Sequence, residues 1–546
     1  MSFWADQLIL LPILLPLLFA AALVLLSGRQ QQLKFAINLT GTLALLITAI
    51  TLFWMTDREV WPNGVGVYLA ANWQAPFGIA LVVDRLSALM LTLASVIAVA
   101  ALIFSYRRWS RAGVHFHSLF QFLLAGINGS FITGDLFNLF VFFEIMLAAS
   151  YGLLLLGLQP NRIRASMQYV VVNLVASSFF LIGVALIYAA AGTLNMADLA
   201  VRAAAMNDSE RLLLETGAAV LAIAFLTKSA MWPLGFWLPT TYAAAAPPVA
   251  AMLVLMTKVG VYVLLRLWLL VFADQPESLN AISGTALVVG GLLTLTYGTI
   301  GLLGSQELGR MAGFSAIISS GTLLAAIGYG EPKVISAALF YLVSSTLAVG
   351  AFMLLMELVE RIRKPSAAML ALTMEAFAID DAPEESAGVV IPAAMAFLGL
   401  SFFACALIIA GLPPLSGFIA KFSLFHALLN PAGLFIGNLY SAGPLAWGML
   451  ALIILSGLAA IISLMRFGVR AFWAVPDAKP PRLHLTEALP ISMLLLLCIS
   501  ISIAAGPTSR YMERTSAALH EPQLYIERVL SSPARPGVPG TAGVEQ

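Results

Sequence analysis

Fourteen apolar segments, each long enough to cross a bilayer, recur along this chain. They fall at approximately 8–27, 35–55, 78–104, 115–133, 136–157, 168–191, 213–236, 243–271, 283–304, 310–329, 334–357, 390–429, 444–468 and 488–506. A crossing helix needs about 20 apolar residues at a rise of ~1.5 Å each. Hydrocarbon offers backbone N–H and C=O groups no partner, so segments of this length must bond within themselves as helices. The predicted fold is an all-α polytopic membrane protein of about 14 transmembrane helices.

Charge supports that reading. Only 10% of the 546 residues are charged, against about 25% in soluble chains. A net charge of +1, with no basic cluster, gives no reason to expect nucleic acid as a partner. The two cysteines, Cys405 and Cys498, cannot make a metal, haem or iron–sulfur pattern, so no cofactor is expected. No Lys or Arg precedes the first apolar run, which predicts an uncleaved first span rather than a secretory signal. Fifteen basic residues, from Arg29 to Arg482, fall on alternate connections, whereas the intervening ones hold only Arg58, Arg202, Arg211 and Lys333. The positive-inside rule then puts both termini outside.

Two spans are interrupted. The seventh has Lys228 beside Pro233, and the twelfth carries GLPPLSG at 411–417 followed by Lys421. Proline and glycine there free backbone groups that must face protein or water. Interrupted spans at matching places in two halves point to the ion site of a repeat-built transporter. The expected organisation is helices 1–3 (1–110), a first five-helix repeat (111–272), and an inverted second repeat (273–470) with an acidic cytoplasmic loop at 366–388. Helix 14 (471–507) and a disordered tail (508–546) complete it.

Four isolated ionisable groups are expected at membrane depth: Glu144, Lys228, Lys258 and Lys421. A lysine at the centre of an apolar helix costs roughly 2.5–3.5 kcal/mol on insertion scales, so such groups usually have a function. Glu144 lies nine residues from Asp135, or ~13 Å along the helix. It is expected to pair with Lys228, the lysine holding its proton when paired and losing it more easily when separated. Lys258 would accept that proton through ordered water, and Lys421 would lead it out. The competing readings are a helix–helix ion pair for Glu144, snorkelling for the two lysines, and neutralisation of freed carbonyls for Lys421. Asp135 reads best as a helix N-cap. His115 and His117, at the inner start of the fourth span, could gather cytoplasmic protons, but an interfacial histidine is more often merely wet. His426, five residues after Lys421, is the better relay candidate by position. Ser319, Ser320, Ser344, Ser345 and Thr346 can support water chains or bond neighbouring backbone. Asp84, Arg85 and Arg266 read as interface residues or mutual ion pairs.

The stretches TGDLFNLFVFFEIMLAASYGLLL, KSAMWPLGFWLPTTYAAAAPPVAAML and GLPPLSGFIAKF resemble the proton-translocating antiporter-like family. That family is shared by respiratory complex I membrane subunits and the multisubunit Mrp (Mnh, Pha) cation/proton antiporters, and the GDLFNLFVFFE wording is most similar to the D-type subunits. The resemblance implies a coupling pair of Glu144 and Lys228, a central relay at Lys258 and a terminal lysine at Lys421. It also implies a subunit of a monovalent cation (Na⁺, Li⁺ or K⁺)/proton antiporter in a bacterial plasma membrane. Its partners would be a larger paralogous subunit and small membrane subunits. In one respect the chain departs from relatives: Ser344 stands where they often have histidine, so the second half would conduct through water and hydroxyls. The rival reading is a proton-pumping subunit of a redox complex, of the complex I or membrane hydrogenase type.

Overall fold

The computed structural model describes residues 2–111, 113–157, 160–272, 277–376, 393–430, 443–472 and 483–533. Among them, eleven helices are long and apolar enough to cross a membrane. After a short helix at Ser2–Leu8 come α1 (Leu11–Leu25), α2 (Gln31–Asp57), α3 (Arg85–Ser105), α4 (Phe116–Ile132), α5 (Leu136–Leu154) and α6 (Pro160–Ala191). Then follow α7 (Asp208–Lys228), α8 (Pro247–Leu270), α9 (Glu277–Gly304), α10 (Leu308–Tyr329) and α11 (Pro332–Ala376). The series ends with α12 (Ala393–Ala410), α13 (Ser416–Leu429), α14 (Pro444–Phe472), α15 (Leu485–Ile503), α16 (Ala505–Leu519) and α17 (Pro522–Leu530). Of the predicted spans, α1, α4 and α13 are shorter apolar helices, and α7 opens on Asp208, Glu210, Arg211 and Glu215.

The buried centre is α8, whose apolar stretch is enclosed along its whole length. It packs against α3, α7 and α11, so a side chain on α8 meets protein and not lipid. At the edge, α1 carries Pro16 inside the helix. Proline has no N–H for the carbonyl four residues back, and the freed Pro12 carbonyl instead accepts from Asn128 Nδ2 on α4 at 3.0 Å.

Both expected interruptions are present, with one correction. The seventh span was expected to carry Lys228 near its middle, but α7 ends at Lys228 and helix resumes only at Leu238–Ala244. Pro233 disfavours helical backbone at Trp232 and would clash with the carbonyl of Ser229, so the break starts at the lysine. In the twelfth span α12 stops at Ala410, Gly411 turns with φ 81°, and α13 starts at Ser416.

Three further differences have plain causes. Between α2 and α3 lies an antiparallel hairpin, β1 (Gly66–Leu69) and β2 (Ala80–Val83), a pair of four-residue strands too short to register as periodicity. The eleventh helix runs on to Ala376 over 45 residues, more than twice the ~20 that a crossing needs. Its extension takes up the start of the expected acidic loop, while Asp380, Asp381, Glu384 and Glu385 lie outside the described residues. The disordered tail is overturned over 508–530, where α16 and α17 fold back on the bundle. Tyr511 Oη donates to the Arg85 carbonyl at 2.8 Å, and Ser516 Oγ to that of Pro332 at 2.7 Å. The Pro- and Gly-rich end from residue 534 lies outside the described residues.

Candidate functional site

Glu144 projects from α5, half-buried, and its Oε1 accepts the hydroxyl hydrogen of Ser177 on α6. One helical turn away on α6, Asn173 Oδ1 accepts from Lys228 Nζ, and Asn173 Nδ2 donates to the Tyr169 carbonyl at 2.6 Å. The ammonium also lies 4.7 Å from the Phe143 ring and 5.7 Å from the Tyr169 ring, where ring quadrupoles attract a cation. No ion pair among the described residues joins Glu144 to Lys228. The two charges face each other across a polar pair, Asn173 and Ser177. Sequence reasoning missed both, although their i, i+4 spacing inside an apolar span was a visible signal.

Lys258 is 1% exposed, and its Nζ donates to Ser319 Oγ on α10 at 2.7 Å. Ser319 and Ser345 of α11 share a hydrogen bond of 2.9 Å. Next along α11, Ser344 donates to Ser416 at 2.8 Å, and Ser416 is the first residue of α13. Lys421, five residues on, turns back across the break, its Nζ donating to the carbonyls of Ile409 and Ala410 at 3.2 and 2.9 Å. These are the last carbonyls of α12, so Lys421 holds the freed backbone groups of the interruption. Ser320 Oγ is buried without a partner among the described residues.

One discontinuity remains. Gly260 of α8 lies against the end of α7: a Cβ there would meet Ser229 N at 2.9 Å and Lys228 Cβ at 3.1 Å. Residues two apart on a helix point about 200° apart. Thus α8 turns Gly260 to Lys228 and Lys258 to Ser319, and no hydrogen bond among the described residues bridges the two lysines.

The secondary candidates separate. Asp135 caps α5, its Oδ1 accepting from Phe137 N at 2.8 Å and Asn138 N at 2.9 Å. Burial pushes its carboxyl up from the ordinary value, and those two N–H donors pull it back only in part. His115 is exposed at the start of α4. His117 is 1% exposed, which corrects the interfacial reading: its Nδ1 meets Asn38 Nδ2 at 2.8 Å, and its Nε2 is buried without a partner among the described residues. His426 is exposed near the far end of α13 and shares no described hydrogen bond with Lys421. Asp84 and Arg266 form a buried bidentate pair at 2.6 and 2.8 Å, in keeping with the ion-pair reading.

A polytopic helical bundle with two interrupted helices, and ionisable side chains held in its interior, defines an ion-translocating membrane protein. The model of the NADH:quinone oxidoreductase/Mrp antiporter transmembrane family matches residues 133–443, and the chain belongs to that family. It is 53% identical over 536 residues to a protein of Rhizobium meliloti named as a probable K(+)/H(+) antiporter subunit of the D type, covering 98% of this chain and 99% of that one. It is 33% identical to the D-type Na(+)/H(+) antiporter subunit of Alkalihalophilus pseudofirmus, with 96% and 99% covered. Among solved structures it is similar to a chain of the Mrp complex from Dietzia sp. DQ12-45-1b, with 26% identity, a TM-score of 0.79, and 97% and 100% of the two chains covered. A chain of the membrane-bound sulfane sulfur reductase, an archaeal respiratory membrane complex, shares the fold alone, at 24% identity and a TM-score of 0.79 over 96% and 100% of the chains.

Proposed function

We propose that this chain is the D-type, proton-translocating subunit of a multisubunit monovalent cation/proton antiporter. The observation that carries the reading is the 53% identity, over almost the whole length of both chains, to a relative named as a probable K(+)/H(+) antiporter subunit. Relatives so named also weigh against the redox-complex alternative, since the respiratory chain above resembles this one in fold only. The transported cation is K⁺ or Na⁺, and the working assembly includes other membrane subunits, among them a larger paralogue and small membrane subunits.

In this reading fourteen spans form three N-terminal helices, two inverted five-helix repeats and a last helix, in a bacterial plasma membrane with both ends outside. Glu144 and Lys228 are the coupling pair, and Asn173 and Ser177 carry their interaction while they stay apart. Water bridges Lys228 to Lys258 around Gly260. From there the proton passes along Ser319 and Ser345 to Ser344 and Ser416, and leaves past Lys421. Hydroxyls can relay a proton because each both donates and accepts, which answers the absence of histidine at Ser344.

The test is Glu144→Gln in the assembled complex. Cation-driven proton movement in inverted vesicles, followed with a pH-sensitive dye, is expected to fall to background while assembly persists. Transport at the native rate would remove Glu144 from the path.

A further inference from the structure

A cavity of about 240 Å³ lies away from the proposed proton path, at the end of the bundle that holds Asp84 and Asp135. It runs between α7, α8 and the start of α9, with Ala218, Ala222 and Phe225 on one wall and Leu264 and Trp268 on the other. By volume it has room for roughly eight water-sized groups. Among the described residues Glu215 is its one charged side chain. Glu215 sits seven residues along α7 from Asp208, or ~10 Å into the bundle. Its Oε1 is buried with no hydrogen-bond partner, and Arg211, one turn earlier, forms no described ion pair with it.

A buried carboxylate oxygen without a donor is a standing cost that a ligand can remove. An inorganic cation finds too little here, because hard cations need about six oxygen ligands or retained water, and apart from Glu215 and Ser283 these walls are aliphatic and aromatic. A neutral apolar molecule would fill the space and leave Oε1 unsatisfied. We propose that this cavity binds a protonated amine carried on an apolar body, the ammonium on Glu215 and the body lying along Ala218 and Ala222 toward Phe225. Such a ligand is either a free alkylamine or the headgroup of an aminophospholipid entering from the bilayer. Because Phe225 is three residues from Lys228, an occupant also restrains the end of α7. An effect of that restraint on transport rests on the transport reading, whereas binding does not.

The test labels the full-length chain, in phosphatidylcholine nanodiscs, with a photoreactive octylamine and with the matching photoreactive octanol. Labelled positions are read by mass spectrometry. The amine is expected to label α7 and α8 about tenfold more than the alcohol, as a charge-assisted bond predicts, and octylamine should compete. Glu215→Gln should level the two probes, and Ala222→Phe should reduce both. Equal labelling by amine and alcohol in the native chain overturns the proposal and needs no variant to fold. A Glu215→Gln chain that keeps the preference for the amine overturns it too. Adding phosphatidylethanolamine separates the sources: loss of labelling identifies the aminophospholipid, and unchanged labelling that octylamine still displaces identifies the free amine.

Discussion

Replacing Asn173 by leucine tests how Lys228 is held. The two side chains are similar in size, so packing in α6 is largely kept, but Lys228 Nζ loses the side-chain acceptor that the structure gives it. A hydrogen bond to a charged group is worth about 1.5–3 kcal/mol. If the bond positions the ammonium during transfer, its loss lowers the rate roughly 10- to 150-fold, at tenfold per 1.4 kcal/mol. The assay is cation-driven proton movement in vesicles, normalised to the amount of assembled chain. Asn173→Leu should lose one to two orders of magnitude, and adding it to Lys228→Ala should cost nothing more, because the shared bond is already gone. Full activity of Asn173→Leu at normal assembly would refute the argument, as would an equal further loss in the Lys228→Ala background.

Two more outcomes concern the scaffold. Breaking the Asp84–Arg266 pair, whose side chains are 14% and 8% exposed, should destabilise by about 3–5 kcal/mol because one charge is left buried and alone. Asp84→Leu should therefore lower the apparent Tm in detergent more than the double variant Asp84→Leu, Arg266→Met; equal losses would argue against it. Ending the chain at Ile503 removes α16 and α17 with their bonds to Arg85, Gly330 and Pro332, each under 3 Å. At about 0.5–1.5 kcal/mol for each bond, yield and resistance to proteolysis should drop, and native behaviour of the shortened chain would show that these contacts hold nothing.

The membrane-spanning pattern was legible because each apolar segment is a long, local signal, and so were the interruptions, because proline and glycine act on their own backbone. The four charges stood out as exceptions in apolar text. What lay hidden was pairwise and distant. Asn173 and Ser177 are polar residues of ordinary type, and only the approach of α5 and α7 to α6 gives them partners. His117 looked interfacial from its place at the head of a helix, yet Asn38, 79 residues earlier, closes over it. The C-terminal helices were obscured in the same way. A segment such as PTSRYMERTSAALH is too polar to read as a span, and its fixed position comes from Tyr511 and His520 reaching carbonyls 426 and 190 residues away.

The two interruptions treat their lysines differently, and this bears on how a proton can move. At the end of α7 the freed carbonyls take neutral donors: Phe225 O from Ser229 N at 2.8 Å, Leu226 O from Met231 N at 2.9 Å, and Thr227 O from Ala230 N at 3.2 Å. Lys228 is thus not needed to hold the helix end, and its ammonium serves side chains only: Asn173 and the Phe143 and Tyr169 rings. At the end of α12 the backbone satisfies Leu407 O through Gly411 N and Leu412 N, but Ile409 O and Ala410 O fall to the Lys421 ammonium. That ammonium also offsets the negative end of the α12 dipole. A neutral amine still has two N–H groups to offer, but bonds to it are about half as strong as charge-assisted ones. Deprotonating Lys228 weakens only side-chain contacts, to Asn173 and to the Phe143 and Tyr169 rings, whereas deprotonating Lys421 weakens both bonds that close a helix end and removes the charge opposing its dipole. A proton step at Lys421 is therefore tied to the geometry of the break itself, and one at Lys228 is not.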